Sequence, residues 1–224
     1  MSGDVADRRS YGDPCGIARA LDLMGERWAV LVVRELLLGP KRFTDLRGGL
    51  PGLGPDMLTE RLRDLEQAGV VLRRTLPPPA SSRVYELSEW GRELEPVVLA
   101  LGRWGSRAPF PPGGAVLGID AFVLALKTLF DPSAARGLRA SYELRLGEHV
   151  FHARVSGSRL EITRGNVVHP DAVIDANPRT LSAVLWHGRR LGEARRAGDI
   201  KVEGGRAVVD RFLQLFPPPQ PAAA

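Results

Sequence analysis

The sequence predicts an α+β chain of two domains, and three observations predict it. Apolar residues recur at helical spacing through residues 11 to 107, interrupted by one pair of alternating segments around a proline-rich tip. Proline and glycine then cluster at 108 to 118, which reads as a linker. Beyond it, one helical stripe precedes three alternating segments separated by glycines, followed by strands and helices in mixed order. That order is expected of helices laid on an antiparallel sheet over residues 119 to 216. With 224 residues, 44% hydrophobic and 25% charged, the chain can build two cores of about 100 residues each.

Taken in order, Ile17, Leu21 and Met24 form the first helical stripe. Trp28, Leu31, Val32, Glu35 and Leu36 form the second, which stops at Gly39-Pro40. In "RFTDLRGGL" Phe43, Leu46 and Leu50 point inward, and "PGLG" turns the chain into "GPDMLTERLRDLEQAGVV". There Leu58, Leu62, Leu65 and Gly69 fall within one sector of a helical projection, whereas Asp56, Glu60, Arg63 and Gln67 point the opposite way. Pro55 suits a first helical turn because its missing N–H is not needed there, and Gly69 can take the left-handed conformation that ends a helix. Two short helices joined by a tight turn have helix-turn-helix spacing. Next, "VVLRRT" and "RVYELS" alternate around "LPPPASS", whose prolines cannot donate ladder hydrogen bonds and so lie at the bend. A hairpin in this place makes the helix-turn-helix a winged one. From Glu89 to Gly105 a single helix carries Leu94, Val97, Val98, Leu101 and Trp104. That is more apolar surface than the terminal helix of a small domain needs, so Leu94, Val97, Leu101 and Trp104 are expected at a dimer interface.

These residue types suit duplex DNA. A helix about 10 Å across fits the major groove, about 12 Å wide, where Thr59, Arg63 and Asp56 would meet base edges. Asp56, Glu60, Asp64 and Glu66 nevertheless outnumber Arg61 and Arg63 on that helix, so it cannot be the main source of phosphate affinity. Lys41, Arg42 and Arg47 beside the preceding helix, and Arg73, Arg74 and Arg83 on the wing, supply the missing positive charge. For Arg61, at the edge of the apolar stripe, a salt bridge within the protein and a phosphate contact remain alternatives. The net charge of +5 and a pI near 10.0 fit a polyanionic partner.

The first half resembles the HxlR-type family of bacterial transcriptional regulators. The resemblance runs from Tyr11 to about Trp104. It rests on Cys15 before the first helix, "GERW" at 25 to 28, "KRFTDLR" at 41 to 47, "MLTERLRDLEQAGVV" at 57 to 71 and "SRVYELSEWG" at 82 to 91, in this order and spacing. It departs in Gly16, where the family commonly has proline, and in the "PPPAS" wing tip. The resemblance implies a homodimer formed largely through the first and last helices of this domain, bound to an operator of two half-sites, usually as a repressor. Cys15 matches the cysteine that senses oxidants or electrophiles in some members. As the only cysteine it would switch through an intermolecular disulfide or a small thiol.

In the second half "AFVLALKTLF" is an amphipathic helix, and "ASYELRLG", "HVFHARVSG" and "RLEITRG" are strands of a meander. "DAVIDANP" adds a strand, Leu181 to Trp186 and Leu191 to Ala197 two helices, "IKVEG" a strand and "AVVDRFLQLF" a last helix. Residues 119 to 216 resemble the sterol carrier protein type 2 like domain, most clearly in "PDAVIDANPRTLSAVLWHGRRLGEARRAGDIKVEGGRAVVDRFLQLF". That resemblance implies an apolar cavity for a small apolar ligand, with Phe130, Leu144, Phe151, Leu160, Trp186, Phe212 and Phe216 as its candidate walls; periodicity fits a filled core equally. The tail 217 to 224, "PPPQPAAA", is uncharged and proline-rich and is expected to be disordered.

Other classes find little support. No apolar run approaches the roughly 20 residues of a membrane span, and the start "MSGDVADRRSYGD" lacks a signal-peptide core, so the cytoplasm is expected. His149 and His152 would face opposite sides of a strand, His169 and His187 sit in unrelated contexts, and neither a metal nor a cofactor is expected. No phosphate loop or nucleophile elbow is present, so the chain reads as a regulator and not an enzyme. The rival reading is a lipid-carrier or catalytic protein whose helical half mediates assembly, against which the wing arginines count.

Overall fold

The computed structural model describes residues 10–79, 81–109 and 117–222. Part of the expected linker, part of the tail, the first nine residues and Ala80 of the wing tip lie outside them. Contacts divide the chain into two units, Met1–Glu95 and Pro96–Ala224.

The first unit begins with helices α1 (Gly16–Met24), α2 (Ala29–Leu36), α3 (Phe43–Gly49) and α4 (Pro55–Gln67). Strands β1 (Val71–Thr75) and β2 (Arg83–Leu87) follow as an antiparallel hairpin, then the short helix α5 (Glu89–Arg92). Its core is Val32, Val33 and Leu36 of α2, Leu46 of α3, Leu58, Leu62 and Leu65 of α4, and Val71, Val84 and Leu87 of the hairpin. Gly69 has φ of 74°, a conformation glycine adopts without a Cβ penalty, and the turn it allows sends the chain from α4 straight into β1. The helix expected from Glu89 to Gly105 is broken into α5 and α6 (Glu95–Gly105). Pro96 causes the break: it lacks the N–H a continuous helix would use and its ring would meet the carbonyl four residues back.

By contacts α6 belongs to the second unit, earlier than the boundary near 107 that composition suggested. Gly102 leaves room for Thr128 on helix α7 (Ile119–Leu129), where a Cβ would stand 3.2 Å from Thr128 Oγ1. Arg103 donates to the Thr128 carbonyl at 3.1 Å. Strands β3 (Arg139–Leu146), β4 (His149–Ser156) and β5 (Arg159–Arg164) form the expected meander. Strand β6 (Ala172–Ala176), helices α8 (Pro178–Trp186) and α9 (Leu191–Arg196), strand β7 (Ile200–Gly204) and helix α10 (Arg206–Gln214) complete the unit.

The sheet has the order β5-β4-β3-β6-β7, and β6 runs parallel to β3, so it is mixed and not purely antiparallel as expected. The reason is the connection 165–171, which crosses back over the sheet instead of forming a hairpin. Glu143, on the face of the sheet away from the rings, accepts a hydrogen bond from the Val167 N–H of that crossing at 3.2 Å and is buried beneath it. That bond, followed by Arg145, holds the Glu143 carboxyl below the usual carboxylate range.

The other face carries the rings. Phe130 and Phe216 lie 6.2 Å apart, Phe212 and Phe216 5.0 Å, Tyr142 and Phe212 4.9 Å, and Trp186 stacks obliquely on Phe122 at 5.6 Å. Leu144 and Phe151 are fully buried opposite one another, while Leu160 is half-buried on the edge strand. Of the seven residues offered from sequence as walls of an apolar cavity, Phe130, Phe212 and Phe216 meet one another, Leu144 lies opposite Phe151, and Trp186 meets Phe122. Burial, then the Asp171 carboxylate, pushes the Tyr142 phenol up to about 12. Of the tail, residues 217–222 carry no regular element, yet Ala222 N–H donates to the Arg107 carbonyl and Arg107 to that of Gln220.

Candidate nucleic-acid interface

All of the interface candidates between Lys41 and Arg83 belong to the first unit. The helix α3 starts beside the wing: Lys41 and Tyr85 exchange backbone hydrogen bonds of 2.9 and 2.8 Å, and Arg42 Nε donates to Ser82 Oγ at 3.1 Å. Asp45 caps α3 by accepting from Arg42 N–H at 3.2 Å. α3 and β2 are thereby locked as one piece, with Arg42 and Arg47 exposed.

On α4 the leucine face is buried and Asp56, Thr59 and Arg63 are exposed. Thr59 donates its hydroxyl proton to the Pro55 carbonyl at 2.9 Å, so its methyl and oxygen lone pairs are what it presents. Arg61 is buried, with its guanidinium 3.1 Å from both Glu60 and Asp64 and 3.8 Å from Glu26. Of the two alternatives open for Arg61, the structure shows the salt bridge, and Arg61 leaves the DNA-facing set. The cluster also engages two of the four acids that made α4 look unsuited to a polyanion. Glu26, inside "GERW", is a largely exposed member of this cluster that sequence spacing does not reveal. Its signal is only its three-dimensional proximity to Arg61.

Lys41, also expected to meet phosphate, has a partner inside the protein. Its side chain is 12% exposed and its Nζ pairs with the buried Glu35, which also accepts from Arg34 at 2.8 Å. A lysine paired with a buried carboxylate helps to position the α2–α3 turn. The wing arginines separate by strand parity. Arg73 pairs with Tyr85 and Arg83 with Thr75, which puts Arg73, Thr75, Arg83 and Tyr85 on one face. Arg74 is on the other, where it meets Glu86 at 3.2 Å. At 53% exposure this pair is weak, but its side of the hairpin is not the one shared by Arg73 and Arg83. Arg42, Arg47, Arg63, Arg73 and Arg83 therefore remain exposed, and among the described residues none of them is paired with a carboxylate.

Two apolar helix faces lie bare, one in each unit. No residue of α1 is buried, and Ile17 and Leu21 are exposed. No residue of α6 is buried either; Val97, Leu101 and Trp104 are exposed, Trp104 by 74%, and Leu94 just before it is half-buried. Cys15 stands exposed immediately before α1, its N–H donating to Asp13 at 2.8 Å. Among the described residues no helix is long and apolar enough to cross a membrane, and no group of three His, Cys, Asp or Glu is disposed to hold a metal ion.

Residues 23–109 match the HxlR-like helix-turn-helix family. The chain is 39% identical over 95 residues to the HTH-type transcriptional regulator sll1512 of Synechocystis sp., which covers 42% of this chain and 70% of that one. To the HTH-type transcriptional regulator YodB of Bacillus subtilis it is 36% identical over 88 residues, 39% of this chain and 79% of YodB. The solved reduced form of YodB aligns over 42% of this chain and 92% of its own at 35% identity, with a TM-score of 0.38. With the family's helix-turn-helix and more than two thirds of such relatives represented in it, this chain belongs to the HxlR-like helix-turn-helix family.

Proposed function

We propose that this helix-turn-helix transcriptional regulator acts in the cytoplasm as a homodimeric repressor that reads an operator of two half-sites. In this reading α4 meets the base edges while α3 and the wing hold phosphates. The observation that carries it is the partition of charge in the first unit. Arg61, Lys41 and Arg74 are paired with carboxylates, whereas Arg42 and Arg47 at α3, Arg63 on α4, and Arg73 and Arg83 on the wing are left exposed. Thr59 suits an amino donor of adenine or cytosine, or a thymine methyl, since its own proton is spent on the helix. No reaction is part of this function.

Once the operator has been selected from genomic DNA, Arg83→Ala should weaken binding to all sequences alike and reduce the slope of log affinity against log salt by about one. Thr59→Ala and Arg63→Ala should instead cost about 1–3 kcal/mol on the cognate site alone. Equal loss of selectivity in the three variants would refute this division.

For the second unit, built of α7, the β3–β5 meander, β6, α8, α9, β7 and α10 in sequence, the reading we favour is a sterol carrier protein type 2 like domain, supported by the sequence resemblance alone. Support for an apolar ligand is weaker than the resemblance suggests, because a guest would have to part rings that already touch. A thiol response has a specific observation behind it, the exposure of Cys15 beside the bare face of α1. Diamide treatment should therefore yield a disulfide-linked dimer or a mixed disulfide that mass spectrometry locates at Cys15, with operator affinity altered in the wild type and unchanged in Cys15→Ser. Identical responses of the two proteins would dismiss the thiol.

A further inference from the structure

The polar face of the second unit's sheet is closed at one end by the 165–171 crossing and open at the other. The open end is a groove of about 600 Å³ on β3, β4 and β5, walled at one side by Asp171. Strand register sets its chemistry. Ser156 pairs with Arg139 on one side and Arg159 on the other, so two arginines flank one hydroxyl in a single row across three strands. Their Cα atoms are separated by two strand spacings, about 9–10 Å, which lets both guanidinium groups lean over Ser156.

The groove's carboxylates are already engaged. Glu161 pairs with Arg154 in the neighbouring row, and that hydrogen bond holds its carboxyl below the usual range. Asp171 accepts from the Ser141 N–H at 2.8 Å, and the Ser141 hydroxyl meets His152 at 3.0 Å. Arg139 and Arg159 are exposed and meet no carboxylate among the described residues. What remains unsatisfied is therefore two guanidinium forks and one hydroxyl, a set of donors that matches planar or tetrahedral oxyanions.

We propose that this groove binds a small molecule through its phosphate or carboxylate group, held between Arg139 and Arg159 over Ser156. None of the seven apolar residues suggested as ligand contacts lines it. The site stands independently of the DNA interface, which lies in the other unit.

Calorimetric titration of the full chain with inorganic pyrophosphate and with citrate, in chloride at matched ionic strength, tests it. Saturable binding of one probe per chain is expected, and the probe that saturates identifies a phosphate or a carboxylate as the source. Arg139→Ala with Arg159→Ala should weaken that binding at least tenfold. Arg159→Glu alone, an exposed change on the edge strand, should do the same, whereas Arg63→Ala should leave it intact. Absence of saturation by both probes, survival of binding in the double variant, or its loss in Arg63→Ala overturns the site. So does a double variant that loses operator affinity while neither probe binds the wild type, since the groove would then be a DNA contact.

Discussion

Leu101→Glu combined with Trp104→Glu is expected to convert the proposed homodimer to a monomer and to remove operator binding. Val97, Leu101 and Trp104 stand four and three residues apart, on one face of α6, and all are more than half exposed. Fully burying side chains of this size is worth about 1.5–3 kcal/mol each, doubled by the symmetry of a two-fold interface. Two carboxylates per chain reverse that contribution, because burying an unpaired charge costs several kcal/mol. Operator affinity falls with the dimer because each half-site alone supplies only part of the contact energy. Light scattering reads the mass and a mobility shift reads the binding. Ile17→Glu on the bare face of α1 should weaken the dimer in the same direction. A double variant that stays dimeric would place the interface away from α6, and one that is monomeric yet binds the operator with full affinity would remove the dimer from the reading mechanism.

The parts legible in the sequence are those that local periodicity and local chain chemistry decide. The limits of α4 follow from Pro55 and Gly69, and the hairpin from alternation around prolines. What escaped depends on partners distant in sequence. Periodicity places Arg61 at the edge of the apolar stripe, but only the fold brings Glu26 within 3.8 Å of it. Lys41 looks like a member of a basic motif until Glu35 is found beside it. Arg73 and Arg74 are equivalent as letters and separate only when strand register gives them faces. The direction of β6 was equally hidden, because alternation marks a strand and says nothing of whether the preceding connection reverses the chain or crosses over it. The groove residues Arg139, Ser156 and Arg159 were passed over for the same reason: they lie on three different segments, and only pairing makes them a row.

Phe212→Ala is expected to destabilise the second unit by about 3–5 kcal/mol, the usual cost of emptying a buried phenylalanine site. The ring is fully buried between Tyr142 and Phe216, at 4.9 and 5.0 Å, and Tyr142 reaches the Val208 carbonyl on the same helix. Its loss would therefore loosen α10 from the sheet as well as leave a void. Because the chain has two units, a single unfolding midpoint would mix them, and hydrogen exchange resolves them. Amides of β3 and β4 should lose protection in the variant while those of α4 keep theirs. The opposite result has a definite meaning. If Phe212 were one wall of an apolar chamber, truncation would enlarge a space that already exists, cost nearer the transfer contribution alone, about 1.5–3 kcal/mol, and increase the uptake of an apolar fluorophore. A filled core and a chamber thus predict different costs for the same substitution, and the mutual contact of the three rings favours the larger one.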